Sequence, residues 1–366
     1  MPWAPFVSVV VPAFNVSETV TSCIESVLAQ DWPAASLEVF VVDNGSNDGT
    51  AELAQRFPVK VLREPKRGRS AARNRGVRES RGEVLAFIDA DCEAPPDWIQ
   101  KSVAALVRPW IGAVQARVRK HGAPPSSLEF SQANYYRPFL DTCAMVSTRQ
   151  AYDNARGFDE ELRRNVDMDY SFRLLACGYA LAWLPQVTMI KHHDLAILQA
   201  LRRGWDGGLS VSSFAKKWRS VHPSNARRIW TDRAKGWAHF ALSDLRNPLE
   251  GRGRYVAEAS LKLLASVWGD LVGGPLPEAR YDVRAPVSRV LGAARSLVVS
   301  GTHGLLFDAS AESVTVLNEG ELVALFGRID GFSDDRHLAK LVRDVGLAPD
   351  AALAAIARVD SLIADR

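Results

Sequence analysis

The chain has 366 residues, more than one small core organises, so two or three domains are expected. A net charge of +3 argues against a dedicated nucleic-acid binder, and 47% apolar residues suffice for ordinary globular cores. The four cysteines (Cys23, Cys92, Cys143 and Cys177) show no CxxC spacing, which speaks against a zinc site or a disulfide framework. No apolar run approaches the roughly 20 residues of a membrane helix. The opening "MPWAPFVSVVVPAFN" has no basic stretch before its strand-sized apolar run. No signal peptide is read there, and a cytoplasmic location is expected.

The first half alternates strands and helices. "FVSVVV" (Phe6 to Val11) is apolar almost throughout, as a strand buried on both faces should be. "SETVTSCIESVLAQ" follows, with Val20, Ile24, Val27 and Leu28 on one helical face. "LEVFVVD", "VKVLRE" and "VLAFIDAD" are the second, third and fourth strands. "GRSAARNRGVRESRG" between the last two reads as a helix closed by Gly82. The alternation predicts an α/β fold with a mainly parallel sheet and right-handed crossovers.

From about Leu195 to Trp268 the chain turns basic and Trp-rich, as in "LRRGWDGG", "FAKKWRS" and "ARRIWTDRAKGWAHF", and reads as mostly helical. "GGPLPEARYDVRAP" is dense in Gly and Pro and marks a linker. Beyond it, "HGLLFDASAESVTVLN" reads as a hairpin, and "EGELVALFGRI", "DDRHLAKLVRDVG" and "PDAALAAIARVDSLIAD" as helices. The expected units are 1–194, 195–286 and 287–366.

In an open parallel sheet, ligands bind beyond the carboxyl ends of the strands. Here the first strand ends in Pro12-Ala13-Phe14-Asn15 with Glu18 close behind, the second in Asp43 within "VVDNGSNDGT", and the fourth in Asp89 and Asp91. "DNGSNDGT" alone reads as a turn and helix cap, and a lone DxD means little. Three polar tips on successive parallel strands line one crevice. The Asp89-x-Asp91 carboxylates suit Mg²⁺ or Mn²⁺, whose shell waters and phosphates complete. "KRGRSAARNRG" supplies cations and two glycines that can approach a pyrophosphate; its plainer reading is a solvated basic helix. It is neither GxGxxG nor a P-loop.

Taken in order, "VSVVVPAFN", "VVDNGSNDGT", "KRGRSAARNRG", "VLAFIDADC", "GFDEEL", "DMDYSFRL" and "HH" resemble the motifs of family 2 inverting glycosyltransferases with the GT-A fold, over roughly residues 6 to 193. The resemblance implies a nucleotide-diphosphate-sugar donor held by Pro12, Ala13, Asn15, Glu18, Asp43, Gly68, Arg73, Asn74, Asp89 and Ala90. It implies a metal (Mn²⁺ or Mg²⁺) on Asp91, with His193 or His192 reaching the metal or pyrophosphate. It implies Asp167 as the general base. Two departures stand out: the family's Glu before Asp167 is Val166, and the first residue of its usual Gly-Gly before Phe158 is Arg156. Without that Glu, Asp167 or Asp169 must serve as base, or the chain binds nucleotide sugar without catalysis.

The tail, from roughly Ser296 to Asp365, resembles the small winged-helix-like peptide-recognition domains of the PqqD kind. Those bind an extended peptide as an added strand. This resemblance implies a ribosomally made precursor peptide as acceptor, with transfer to Ser, Thr or Cys from a donor expected to be a UDP-sugar. The alternative for the tail is a helical cap that forms a homodimer or packs on the catalytic domain. The alternative acceptor is a cell-surface polysaccharide or lipid-linked glycan, for which Trp205 to Trp237 would lie on an anionic membrane surface.

Overall fold

The computed structural model describes residues 4–108, 111–122 and 140–192 (without 163 and 178), positions 201, 205, 206, 209 and 217, and in the tail 295–300, 303–308, 313–329, 339 and 348–364. The predicted basic helical region therefore lies almost wholly outside the described residues. So does the predicted helix "DDRHLAKLVRDVG", apart from Ala339.

Four parallel strands stand as predicted: β1 (Val7–Ala13), β2 (Leu37–Asp43), β3 (Lys60–Arg63) and β4 (Val84–Ile88), in the order β3-β2-β1-β4. β1 explains its own composition. Val7, Val9 and Val11 point into one apolar layer and Val10 into the other, so neither face meets water. Helix α1 (Val20–Leu28) buries Val20, Cys23, Ile24 and Val27, whereas Leu28, expected on that face, is exposed. A short helix α2 (Thr50–Ala54) leads into β3, and α3 (Arg69–Glu79) into β4. α3 is arginine-rich yet sits flat on the sheet. At Gly76 a Cβ would meet Val10 Cγ1 at 2.5 Å, so only glycine permits this approach. Gly82 does not close the helix, which ends at Ser80 with a backbone bond to Val77. Gly82 is instead a close-approach residue, where a Cβ would lie 2.5 Å from Ser8 Oγ.

Beyond β4 the sheet becomes mixed. A two-residue strand β5 (Cys92–Glu93) precedes α4 (Trp98–Leu106), followed by β6 (Ile111–Lys120), β7 (Ala144–Thr148), α5 (Arg149–Asn154), α6 (Val166–Ala176) and β8 (Ala180–Lys191). β7 inserts antiparallel between β4 and β6, and β8 runs parallel to β6 with β5 against its end. The tail adds β9 (Arg295–Ser300), β10 (His303–Asp308) and β11 (Ser313–Leu317), an antiparallel meander. β9 pairs in parallel with β8 through Leu181 and Val298, so the tail strands extend the same sheet. β9 has no counterpart in the sequence reading.

Helices α7 (Glu319–Ile329) and α8 (Pro349–Ala364) pack on each other and α7 on the meander, burying Leu317, Leu322, Phe326, Ile356 and Val359. A capping box starts α7: Asn318 and Glu321 exchange hydrogen bonds of 2.8 and 2.9 Å between side chain and backbone. Arg108, just after α4, reaches Glu319 at 2.7 Å. Among the described residues no helix is long and apolar enough to cross a membrane.

Candidate active site

The buried run of β4 delivers Asp89 and Asp91 to the carboxyl edge of the sheet. Asp89 meets two cations: Arg73 Nη2 at 2.7 Å and Lys191 Nζ at 3.1 Å. Asp91 Oδ1 also lies 3.1 Å from Lys191 Nζ. One ammonium therefore bridges both carboxylates. Burial alone would raise the Asp89 pKa, but Lys191, Arg73 and Arg69 outweigh it and hold the carboxyl well below the usual range. Burial likewise disfavours the Lys191 ammonium, but Asp89 and Asp91 beside it hold its pKa well above that of a free lysine. Lys191 closes β8, about a hundred residues downstream of its partners, and sequence reasoning missed it. The one available signal was its place directly before the histidine pair.

The tips of β1 and β2 are laced together. Asn15, in left-handed conformation (φ 51°), accepts from Asn47 N at 3.0 Å and donates its own N–H to Ser46 Oγ at 3.0 Å. Asp43 is buried and accepts from Ser46 N at 3.0 Å, so it serves its own turn as the plainer reading expected. Asn44, not singled out in the sequence, holds the next loop: its Nδ2 donates to Glu64 O (2.8 Å) and Lys66 O (2.7 Å). Its Oδ1 accepts from Gly68 N at 2.8 Å. Gly68 has φ 137°, open to glycine alone, and starts α3 there. Pro12 and Ala13 end β1, Ala90 is buried between the two aspartates, and Glu18 is exposed. The Asn74 amide is fully engaged within the protein, with Phe158 O, Glu160, Tyr152 OH and Phe158 N.

Helix α6 sorts its acidic residues. Asp167 is half-buried in the first turn and accepts from Met168 N at 3.0 Å. Asp169 is fully buried and paired with Arg173 at 2.8 Å and Lys217 at 2.7 Å. Arg173 also caps the carbonyls of Ala155 and Gly157. Val166 packs in the second apolar layer with Tyr170 and Phe158. Arg156 adopts φ 60°, a conformation suited to the glycine it stands in for. His192 donates its N–H to the Asp91 carbonyl at 2.7 Å and its ring stacks on His121. His193 lies outside the described residues.

The sequence model for the family described as Glycosyl transferase family 2 matches residues 8–173. That stretch is similar to glycosyl transferase family 2. The sheet is a mixed, Rossmann-like α/β arrangement with helices packed on it. Among curated relatives, the glycosyltransferase AglE of Haloferax volcanii is 28% identical over 199 residues, covering 50% of this chain and 66% of that protein. The beta-monoglucosyldiacylglycerol synthase of Trichormus variabilis is 29% identical over 195 residues, 46% of this chain and 41% of that one. The chain thus spans less than two thirds of the length of these relatives. A mannosyltransferase from Pyrobaculum calidifontis, solved with GDP-Man and Mn2+, superposes with a TM-score of 0.49 at 19% identity, over 97% of this chain and 87% of that one.

At this site the donor chemistry of Asp91 fits a hard divalent cation, and the Lys191 ammonium, 3.1 Å from Oδ1, competes with such an ion for the carboxylate. Among the described residues no group of three His, Cys, Asp or Glu side chains is placed to hold a metal.

The geometry separates Asp167 from Asp169. Asp169→Asn removes the charge that two buried cations share, a loss of about 3 kcal/mol or more in stability. Urea unfolding checks this; an Asp169→Asn protein as stable as the parent would show the pairing to be unimportant.

Proposed function

We propose that the protein is an inverting glycosyltransferase that moves a hexose from a UDP-sugar to Ser, Thr or Cys of a ribosomally made peptide. What carries the reading is the meeting, at the carboxyl edge of a domain similar to family 2, of the Asp89–Lys191–Asp91 charge cluster with the carboxyl of Asp167. The nucleotide lies over the tips of β1 and β2, and α3 presents Arg69 and Arg73 toward its diphosphate. Asp91 would hold Mn²⁺ or Mg²⁺, with His193 as a second ligand, and such an ion would supply charge stabilisation for the departing diphosphate. Lys191, freed from Asp91, offers its ammonium to the same phosphates. Asp167 takes the proton from the acceptor hydroxyl or thiol. The acceptor atom bonds to the anomeric carbon, the bond to diphosphate breaks, and its electron pair leaves with the nucleoside diphosphate. Val166 in the family's Glu position leaves this carboxylate in place, which favours an enzyme over a mere nucleotide-sugar binder.

The peptide acceptor is supported by the tail. Among the described residues β11 ends the sheet, and Val316 on it is 54% exposed, its carbonyl meeting Arg358 at 3.3 Å. A strand at a sheet edge is a template for an extended chain. A second reading is supported by the relatives' names, which include a glycolipid synthase and the chondroitin synthase of Pasteurella multocida. In that reading the acceptor is a lipid or polysaccharide and the tail is structural.

Release of free nucleoside diphosphate from a panel of UDP- and GDP-sugars tests the chemistry. Asp167→Asn should lower release by about 100-fold or more, and chelation by EDTA should abolish it. Full activity in EDTA would remove the metal from the account, and no release from any donor would remove the enzyme.

The acceptor is tested at β11. A proline at Thr315 or Val316 should raise peptide-acceptor KM strongly with donor hydrolysis unchanged. An unaltered KM would favour the glycan or lipid acceptor.

A further inference from the structure

The chain enters β7 through a short peptide, Leu140 and Asp141, that two buried side chains fix from opposite sides. Leu140 N donates to Ser171 Oγ on α6 at 3.0 Å, and Asp141 N donates to Gln115 Oε1 on β6 at 2.6 Å. Ser171 and Gln115 are both fully buried. Ser171 stands one helical turn after Asp167, and residues four apart share a helix face. Anchoring Leu140 on Ser171 therefore sets the next side chain over Asp167, and the carboxyls of Asp141 and Asp167 are within hydrogen-bonding contact. Two carboxylates cannot share a hydrogen bond without a proton between them.

We propose that Asp141 is a positioning residue for the base: the two carboxyls share one proton, and this hydrogen bond fixes which oxygen of Asp167 faces the acceptor. The inference rests on Asp167 being the base, as argued above, and adds a residue that none of the family resemblance assigns. The shared proton resides on the Asp141 side. Burial, the charge of Asp167 and the hydrogen bond between them push the Asp141 carboxyl up to about 7. The other charged groups facing the pair are Lys191 from β8, Asp89 from the tip of β4, and Arg69 from α3, which faces Asp167. During transfer the acceptor proton joins the free Asp167 oxygen, so the pair ends with two protons and no net charge.

A double-mutant cycle tests the pairing without any substrate. The unfolded Asp141 loses its proton near pH 3.9, the folded one near 7. Folding therefore takes up a proton between those values, and stability falls as pH rises through that window. Asp141→Asn removes this fall, so its melting midpoint should rise relative to the parent from pH 5 to pH 8. Asp167→Asn should do the same, because it removes the charge that holds the proton. The double variant should gain less than the sum of the two. Offsets that do not change with pH, or strictly additive ones, would overturn the proposal. Should Asp141→Asn fail to fold, the pH-dependent offset of Asp167→Asn alone decides. On a donor that the parent cleaves, Asp141→Ala should lower turnover by about tenfold or more with donor KM within about twofold, while Asp141→Asn, which still donates to Asp167, stays nearer the parent. If the parent cleaves no donor, the glycosyltransferase reading fails, and the melting cycle still decides on Asp141.

Discussion

Two aspartates one residue apart, at the end of a buried strand, create the constraint on which the rest of this structure depends. A carboxylate removed from water costs several kcal/mol unless paired. Asp89 answers with Arg73 and Lys191, and Asp91 with Lys191. Removing Arg73 would leave Asp89 to Lys191, whereas removing Lys191 would take a partner from both aspartates at once. The pairing also prepares a function. On the proposed function, Asp91 would hold a metal ion that supplies charge stabilisation to the diphosphate, and the Lys191 ammonium would be free to face the same phosphates.

The surrounding packing serves that cluster. Arg73 reaches Asp89 only because α3 lies close on β1, and that approach requires Gly76. The start of α3 is set by Asn44, whose side chain holds the loop from Glu64 to Gly68. Lys191 reaches the aspartates because β8 continues past a register shift at Ala116 and Arg117 and ends beside β5. On the far side, Arg173 and Lys217 consume Asp169, whereas Asp167 stays half-buried beside Asp141. Function here is a matter of which charges the fold neutralises internally.

The first half of the fold was legible because its strands are buried on both faces, which writes a continuous apolar run into the sequence. β2 was read to the residue. The second half of the sheet was not legible. β8 contains Pro185 and Gln186, which fall in the bulge where Leu184 and Thr188 face consecutive residues of β6. β9 is six residues with a serine or arginine at each end. In the site, the DxD was visible because an apolar run stops at two acids. Its counter-ion was not, because Lys191 ends an unread strand. Asp167 and Asp169 look alike on a helix, and only the packing of Arg173 and Lys217 tells them apart. Asp141 follows a stretch with no periodic signal.

The exchange of Lys191 for a metal ion at Asp91 is the account's central claim, and manganese binding followed by electron paramagnetic resonance tests it most directly. The parent should bind Mn²⁺ only weakly alone and much more tightly with UDP present. Lys191→Met should bind Mn²⁺ more tightly than the parent when UDP is present, because the ammonium no longer competes for Asp91. Equal Mn²⁺ binding by the parent and Lys191→Met, unaffected by UDP, would contradict the account.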